Sequence, residues 1–293
     1  MGGMRTGALV MLASAAAACG RAGFDAEVAP EEACDWQERL EFQAPRAVAN
    51  IDMDGPIRAP FITAEGEALY FASGTEAASD FYIAEADEDG AFTEPSLFDA
   101  LSGDGDDTAL SFAADHLEVI FASDRGAGST LFLGARPALA APFVDQGELG
   151  GVSTGGDDGF PHLAESDLAL YFAGEGPEGT QDLFVARRPA LDEGFGEPAR
   201  LAELSSDADD IGPAVFDDGR VIVFSSTRSG ESDLYFATRS SVDEPFGAPE
   251  ALGPLNSAAR DTDPFVTRDG CFVYFASDRG GGELSLFVAR AFR

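Results

Sequence analysis

The sequence contains no lysine; all 18 of its basic residues are arginines. Phosphate cradling by a P-loop and Schiff-base chemistry both need a lysine amine, so both are excluded. Positive charge is scarce altogether. Against those 18 stand 53 acidic residues, a formal net charge of −35. Such a surface repels phosphate backbones, which excludes nucleic acid as a partner. Histidine is rarer still. His116 and His162 lie far apart in the chain and make neither a zinc site nor a catalytic triad. Long apolar runs are also missing: the one pronounced run, near the N-terminus, is too short to span a bilayer.

That N-terminal run has a different meaning. In "MGGMRTGALVMLASAAAACG" one positive charge, Arg5, precedes a short apolar stretch and then small residues. This is the layout of a secretory signal peptide, residues 1–18. Ala16, Ala17 and Ala18 lead into Cys19, which resembles a bacterial lipoprotein cleavage site with Cys19 as the lipidated residue; ordinary cleavage after Ala18 is the alternative. Residues 19–35 are small, polar and acidic and read as a flexible tether. The mature protein is thus expected outside the cytoplasm, in the periplasm or at the outer membrane, touching membrane only through its lipid. Two further cysteines, Cys34 and Cys271, then remain in an oxidising compartment.

The rest of the chain repeats itself. Apolar runs end at Phe71, Phe121, Phe172, Phe224 and Phe275, at spacings of 50, 51, 52 and 51 residues. Each copy reads as strand a ("APFITA", "GPAVFD"), a tight turn, strand b (the Phe-ending run), a looser turn and strand c ("DLFVARR", "SLFVARA"). Asp218-Gly219 and Asp269-Gly270 suit the tight turns because such pairs tolerate positive φ. A fourth strand, d, follows in four copies, beginning at Phe92, Phe143, Phe195 and Phe246. The fifth copy has none, but "FQAPRAV" at Phe42 fits the pattern, 50 residues ahead of Phe92. Strand d of the last copy therefore sits at the N-terminus. This predicts an all-β, five-bladed β-propeller of four-stranded antiparallel blades over residues 36–293, its ring closed by the N-terminal strand pairing with the last blade. Cys34 precedes that strand and Cys271 opens strand b of the same blade, so the two are expected to form a disulfide across the closure.

The residues Asp261-Thr262-Asp263-Pro264, Asp269-Gly270, Phe275, Ser277-Asp278-Arg279 and Leu286-Phe287-Val288-Ala289 resemble the WD-40-like β-propeller repeat of TolB-type proteins. Asp210-Ile211-Gly212-Pro213, Asp218-Gly219, Arg228 and Asp233-Leu234-Tyr235 carry the same resemblance in the fourth copy. It covers residues 42–293. Because proteins with this repeat serve many roles, the resemblance implies the fold more than a function.

In propellers strand a lines a central channel, and the d-to-a and b-to-c connections share one rim. There this sequence places Asp107, Asp158, Asp210 and Asp261, with Ile57 at the corresponding place in the first copy and Asp54 nearby. Such carboxylates could bind Ca²⁺, which takes several oxygen ligands, or a cationic ligand. Equally, an Asp recurring in every turn can hold backbone amides. Arg125, Arg228 and Arg279 share the rim, so Asp–Arg pairs between neighbouring blades are expected. His116 stands in for the Gly of an Asp-Gly turn; His162 sits on strand a and could face the channel. The expected role is a monomeric scaffold binding an envelope protein or a glycan, without a catalytic residue or required cofactor. The alternative is a carbohydrate hydrolase using carboxylates at the propeller mouth.

Overall fold

The computed structural model describes residues 34–292 apart from 38–40, 65, 76–77 and 127. The segment expected to be a signal peptide, Cys19 and most of the expected tether lie outside the described residues. Two short strands, β1 (Glu41–Phe42) and β2 (Arg46–Ala47), come first. Blade 1 is β3 (Ile57–Ile62), β4 (Ala68–Thr75), β5 (Ala78–Glu85) and β6 (Ser96–Leu97). Blade 2 is β7 (Asp107–Phe112), β8 (Glu118–Ser123), β9 (Thr130–Ala135) and β10 (Val144–Glu148). Blade 3 is β11 (Gly159–Leu163), β12 (Ala169–Glu175), β13 (Gln181–Arg187) and β14 (Ala199–Arg200). Blade 4 is β15 (Asp210–Phe216), β16 (Val221–Ser226), β17 (Asp233–Thr238) and β18 (Glu250–Ala251). Blade 5 is β19 (Asp261–Val266), β20 (Phe272–Ser277) and β21 (Ser285–Phe292).

All pairings are antiparallel and consecutive within a blade. The inner strands touch in ring order, β3, β7, β11, β15, β19 and back to β3. The N-terminal strands complete blade 5: Phe42 lies opposite Ala291, and Arg46 opposite Val288. The protein is thus a five-bladed β-propeller closed by its own N-terminus.

The second strand of each blade reads as unbroken apolar sequence because both of its faces are covered. Phe71, Phe121, Phe172, Phe224 and Phe275 are fully buried, each contributing about 1.5–3 kcal/mol by area. One apolar core fills each junction between adjacent blades. The junction of blade 5 with blade 1 is no exception: there Leu69 and Phe71 pack in one cluster with Tyr274 and Leu286.

Every inner strand carries a bulge. In four blades the bulge holds a proline, which has no N–H to give a ladder. The residue before each of these prolines has positive φ: Ala59 (48°), Phe160 (52°), Gly212 (61°) and Asp263 (54°). At the ring closure Cys34 and Cys271 form a disulfide, Cα atoms 5.1 Å apart. Beside it the single tryptophan, Trp36, is buried and donates from Nε1 to the Gly270 carbonyl at 2.8 Å. Its ring meets those of Phe42, Phe216 and Phe236 edge-on.

Candidate functional site

The rim residues are built by the repeat itself. Each b-to-c turn in blades 2, 4 and 5 begins Ser-x-Arg, and each d-to-a connection ends in the aspartate that opens the inner strand. The turn folds the arginine back onto its own blade. In blade 2, Arg125 Nη2 donates to Asp107 Oδ1 and to the Leu101 carbonyl, both at 2.6 Å, and Nε donates to the Ser123 hydroxyl at 2.9 Å. Arg228 repeats this on Asp210, Leu204 and Ser226. Arg279 repeats it on Asp261, Leu255 and Ser277. Each guanidinium also lies over two aromatic rings, 4.9–5.4 Å from their centroids: Phe121 and Phe132, Phe224 and Tyr235, Phe275 and Phe287.

These ion pairs lie within single blades, not between neighbours as the sequence suggested. The reason is geometric: the b-to-c turn stands directly beside the start of its own blade's inner strand. Nor do the four aspartates form an open ring of carboxylates. Asp107, Asp210 and Asp261 are fully buried and Asp158 is 1% exposed. Burial pushes the Asp107 carboxyl above its ordinary pKa, against the pull of Ser123 and Arg125. Among the described residues no three His, Cys, Asp or Glu side chains come together as metal ligands would.

Two blades depart from the pattern. Blade 1 has Ile57 and Thr75 at the two positions, losing both charges together. Blade 3 keeps the carboxylate of Asp158 but has Gly176 where the arginine belongs and Gly174 where the serine belongs. Asp158 keeps the bonds from the Thr154 amide and hydroxyl, at 3.2 and 2.6 Å, that Ser206 and Ser257 make to Asp210 and Asp261. Its aromatic pair, Phe172 and Phe184, stacks with centroids 5.8 Å apart, and no arginine of the described residues is placed over it. Here, between blades 2 and 3, an open cleft of about 1160 Å³ is lined by Val152, Thr154, Gly176 and Phe184 together with Glu148 and Glu175. Arg200 also lines it, and its Nε is bonded to the buried Asp182 carboxylate. The glycines at 174 and 176 are visible in the sequence as a break in the turn that carries Arg125, Arg228 and Arg279 in the other blades.

The central channel is tight. Its middle is a cavity of about 30 Å³ between Pro60, Leu110, Pro161, Pro213 and Pro264. Among the described residues one carboxylate lines it, that of Asp263, an acid without counterpart in the other copies. Burial raises its pKa, opposed by the Thr262 hydroxyl, by Arg260 and Arg58, and by the Ala59 amide. His162 does face the channel and is half-buried; its Nε2–H donates to the Val215 carbonyl at 2.8 Å. His116 has φ 57°, as its turn position requires. At the opposite mouth Arg268 reaches from blade 5 to Glu165 of blade 3, Nε to Oε2 2.7 Å.

The fold, rather than the site, recurs in solved structures. No protein family matches the chain by sequence, and no curated protein does. Solved structures match it by fold. TolB from Acinetobacter baumannii is similar with a TM-score of 0.53 and 15% identity over 82% of this chain; the chain spans 55% of that protein's length. A thermostable family-43 glycoside hydrolase matches with a TM-score of 0.57 and 12% identity, covering 84% of this chain and 92% of that one. The catalytic domain of the Coprinopsis cinerea family-62 α-L-arabinofuranosidase matches with a TM-score of 0.59 and 11% identity, covering 86% and 97%. At such identities the likeness is one of fold.

Proposed function

We propose that this protein is an exported, lipid-anchored propeller that binds another envelope protein or a glycan and turns nothing over. The export signal and Cys19 support the location. The observation that carries the binding role is the engagement of the rim carboxylates: in blades 2, 4 and 5 they are spent on internal arginines, so the chemistry of the repeat holds blades together. What stays open is the cleft between blades 2 and 3. We take it as the binding face, with its carboxylates drawing a basic partner surface. Ca²⁺ remains an alternative occupant of this acidic rim, and the protein acts as a monomer in this reading.

A second reading, carbohydrate hydrolysis, draws on the fold likeness to the family-43 and family-62 hydrolases and on Asp263 at the axis. Glycoside hydrolysis needs an acid and a second carboxylate about 5–10 Å away. Among the described residues Asp263 is the one carboxylate lining the middle of the channel, which favours binding over turnover. The test is capture from envelope extract on the immobilised mature protein, run beside a glycan array. A partner or glycan that is retained by the parent and lost when the blade 2–3 cleft is blocked supports the proposal. Retention of neither, or retention unaffected by blocking the cleft, contradicts it.

A further inference from the structure

We propose that the cleft of blade 3 contains a recognition slot for a guanidinium group from outside the chain. The inference rests on reading the blade 2–3 rim as the binding face and names the chemistry that face accepts.

The protein itself displays what such a slot holds. In blades 2, 4 and 5 a guanidinium is bound by a buried carboxylate, a backbone carbonyl six residues before it and a pair of aromatic rings. Blade 3 retains all three elements: Asp158, the Val152 carbonyl and the stacked Phe172–Phe184 pair. What it lacks is the cation. Blade 1 shows the contrasting case, in which Ile57 replaces the acid as Thr75 replaces the base. Where the pair is dispensed with, both halves go. Blade 3 keeps the half that costs most to bury alone.

The places where side chains at 174 and 176 would begin are taken by Thr154 and Asp182 respectively. Val152, Gly176 and Phe184, which correspond to the carbonyl, the arginine and the second ring of the complete units, all line the cleft. A second buried acceptor lies beside Gly176. Asp182 is 1% exposed; its Oδ2 takes Arg200 and fills the space where a Cβ on residue 176 would stand, while its Oδ1 has no partner. The exposed carboxylates of Glu148, Glu175 and Glu197 at the cleft wall add a field that concentrates cations.

The geometry selects guanidinium over ammonium. A planar cation can lie over the rings while its N–H edge serves a carboxylate and a carbonyl at once; an ammonium is a compact, strongly hydrated point charge. The group can belong to an arginine side chain of a polypeptide or to a free guanidino compound. The two sources share the slot and differ in what else they touch.

The test is isothermal titration calorimetry on the mature protein at about 0.15 M salt, where long-range attraction to the net negative surface is screened. Three blocked tripeptides, with central arginine, citrulline or lysine, are compared with agmatine. The expected result is a Kd of about 1 mM or tighter for the guanidino compounds, with citrulline and lysine weaker by about tenfold or more. Asp158→Asn and, independently, Phe184→Leu are each expected to weaken the arginine peptide by about tenfold. A peptide that binds tighter than agmatine identifies a polypeptide source; equal affinities identify a free guanidino compound. Lysine or citrulline binding as well as arginine overturns the proposal, as does no detectable heat with the guanidino compounds at about 20 mM. Should a variant fail to fold, the comparison among ligands on the parent protein decides alone. Capture of an envelope partner in the cleft without guanidino affinity would overturn this inference and leave the scaffold role standing; guanidino affinity without an envelope partner would do the reverse.

Discussion

Arg279 and Asp261 lie 18 residues apart in one blade, with Nη2 2.5 Å from a carboxylate oxygen that is fully buried. The serines Ser257 and Ser277 complete the acceptor's bonds. Replacing Arg279 by glutamine leaves that carboxylate buried without a counter-charge. The expected loss is about 3 kcal/mol of unfolding free energy, at the lower end for a broken buried pair because Arg279 is partly exposed. The double variant Asp261→Asn/Arg279→Gln should lose less than the sum of the two single losses. Urea titrations of the four proteins measure this; additive losses would contradict the pairing.

The disulfide spans 237 residues of sequence. In the chain-entropy treatment so long a loop stabilises by up to about 5 kcal/mol. Cys34→Ser/Cys271→Ser should therefore melt well below the parent while keeping the strand pairing of β1 and β2. Trp36, the sole tryptophan, is packed at this closure, so its fluorescence reports it directly. Native-like emission below the lowered melting point is expected. An unchanged melting temperature would show that the bond contributes nothing.

Deleting residues 35–48 removes β1, β2 and Trp36 together. Strand β21 then becomes a bare edge, and edges of this kind pair with other chains. Light scattering should show concentration-dependent association of the truncated protein. A monomer as stable as the parent would mean the ring does not need its N-terminal strand.

Burial lowers the pKa of His162 from its ordinary 6.5 to about 4. Unfolded, the imidazole takes up a proton below about pH 6.5; folded, it stays neutral down to about 4. Its contribution is thus fully present above pH 6.5 and is lost as pH falls from 6.5 to 4, in all about 3 kcal/mol. The carboxyls of Asp107, Asp167 and Asp263 are raised by burial and act in the opposite sense, losing stability as pH climbs above 3.8. The difference between parent and His162→Gln isolates the histidine: their stabilities should converge as pH falls through this window. A pH-independent difference would place the imidazole in contact with water.

The architecture was legible because its signals are periodic. Five phenylalanines at near-equal spacing mark the buried second strands, and the displaced "FQAPRAV" segment identifies the closure. The pairing of Cys34 with Cys271 followed from where closure puts them. The site was less legible, since a repeat shows which residues recur but not which atoms meet. The sequence suggests arginines that bridge neighbouring blades, whereas each turns back on its own. Asp263 is visible in the sequence only as part of the Asp261–Pro264 segment of the fifth copy; the bulge, which turns it to positive φ, brings it to the axial cavity. The informative sites proved to be departures from the repeat: Gly174, Gly176 and Asp263.

Binding without turnover is tested most directly by glycoside hydrolysis. Purified parent protein and its Asp263→Asn variant are incubated with chromogenic arabinofuranosides and with arabinan, and released sugar is followed over time. No release by the parent above that of the variant is the predicted result. Catalytic release by the parent that disappears in Asp263→Asn would contradict the account and make the propeller a hydrolase.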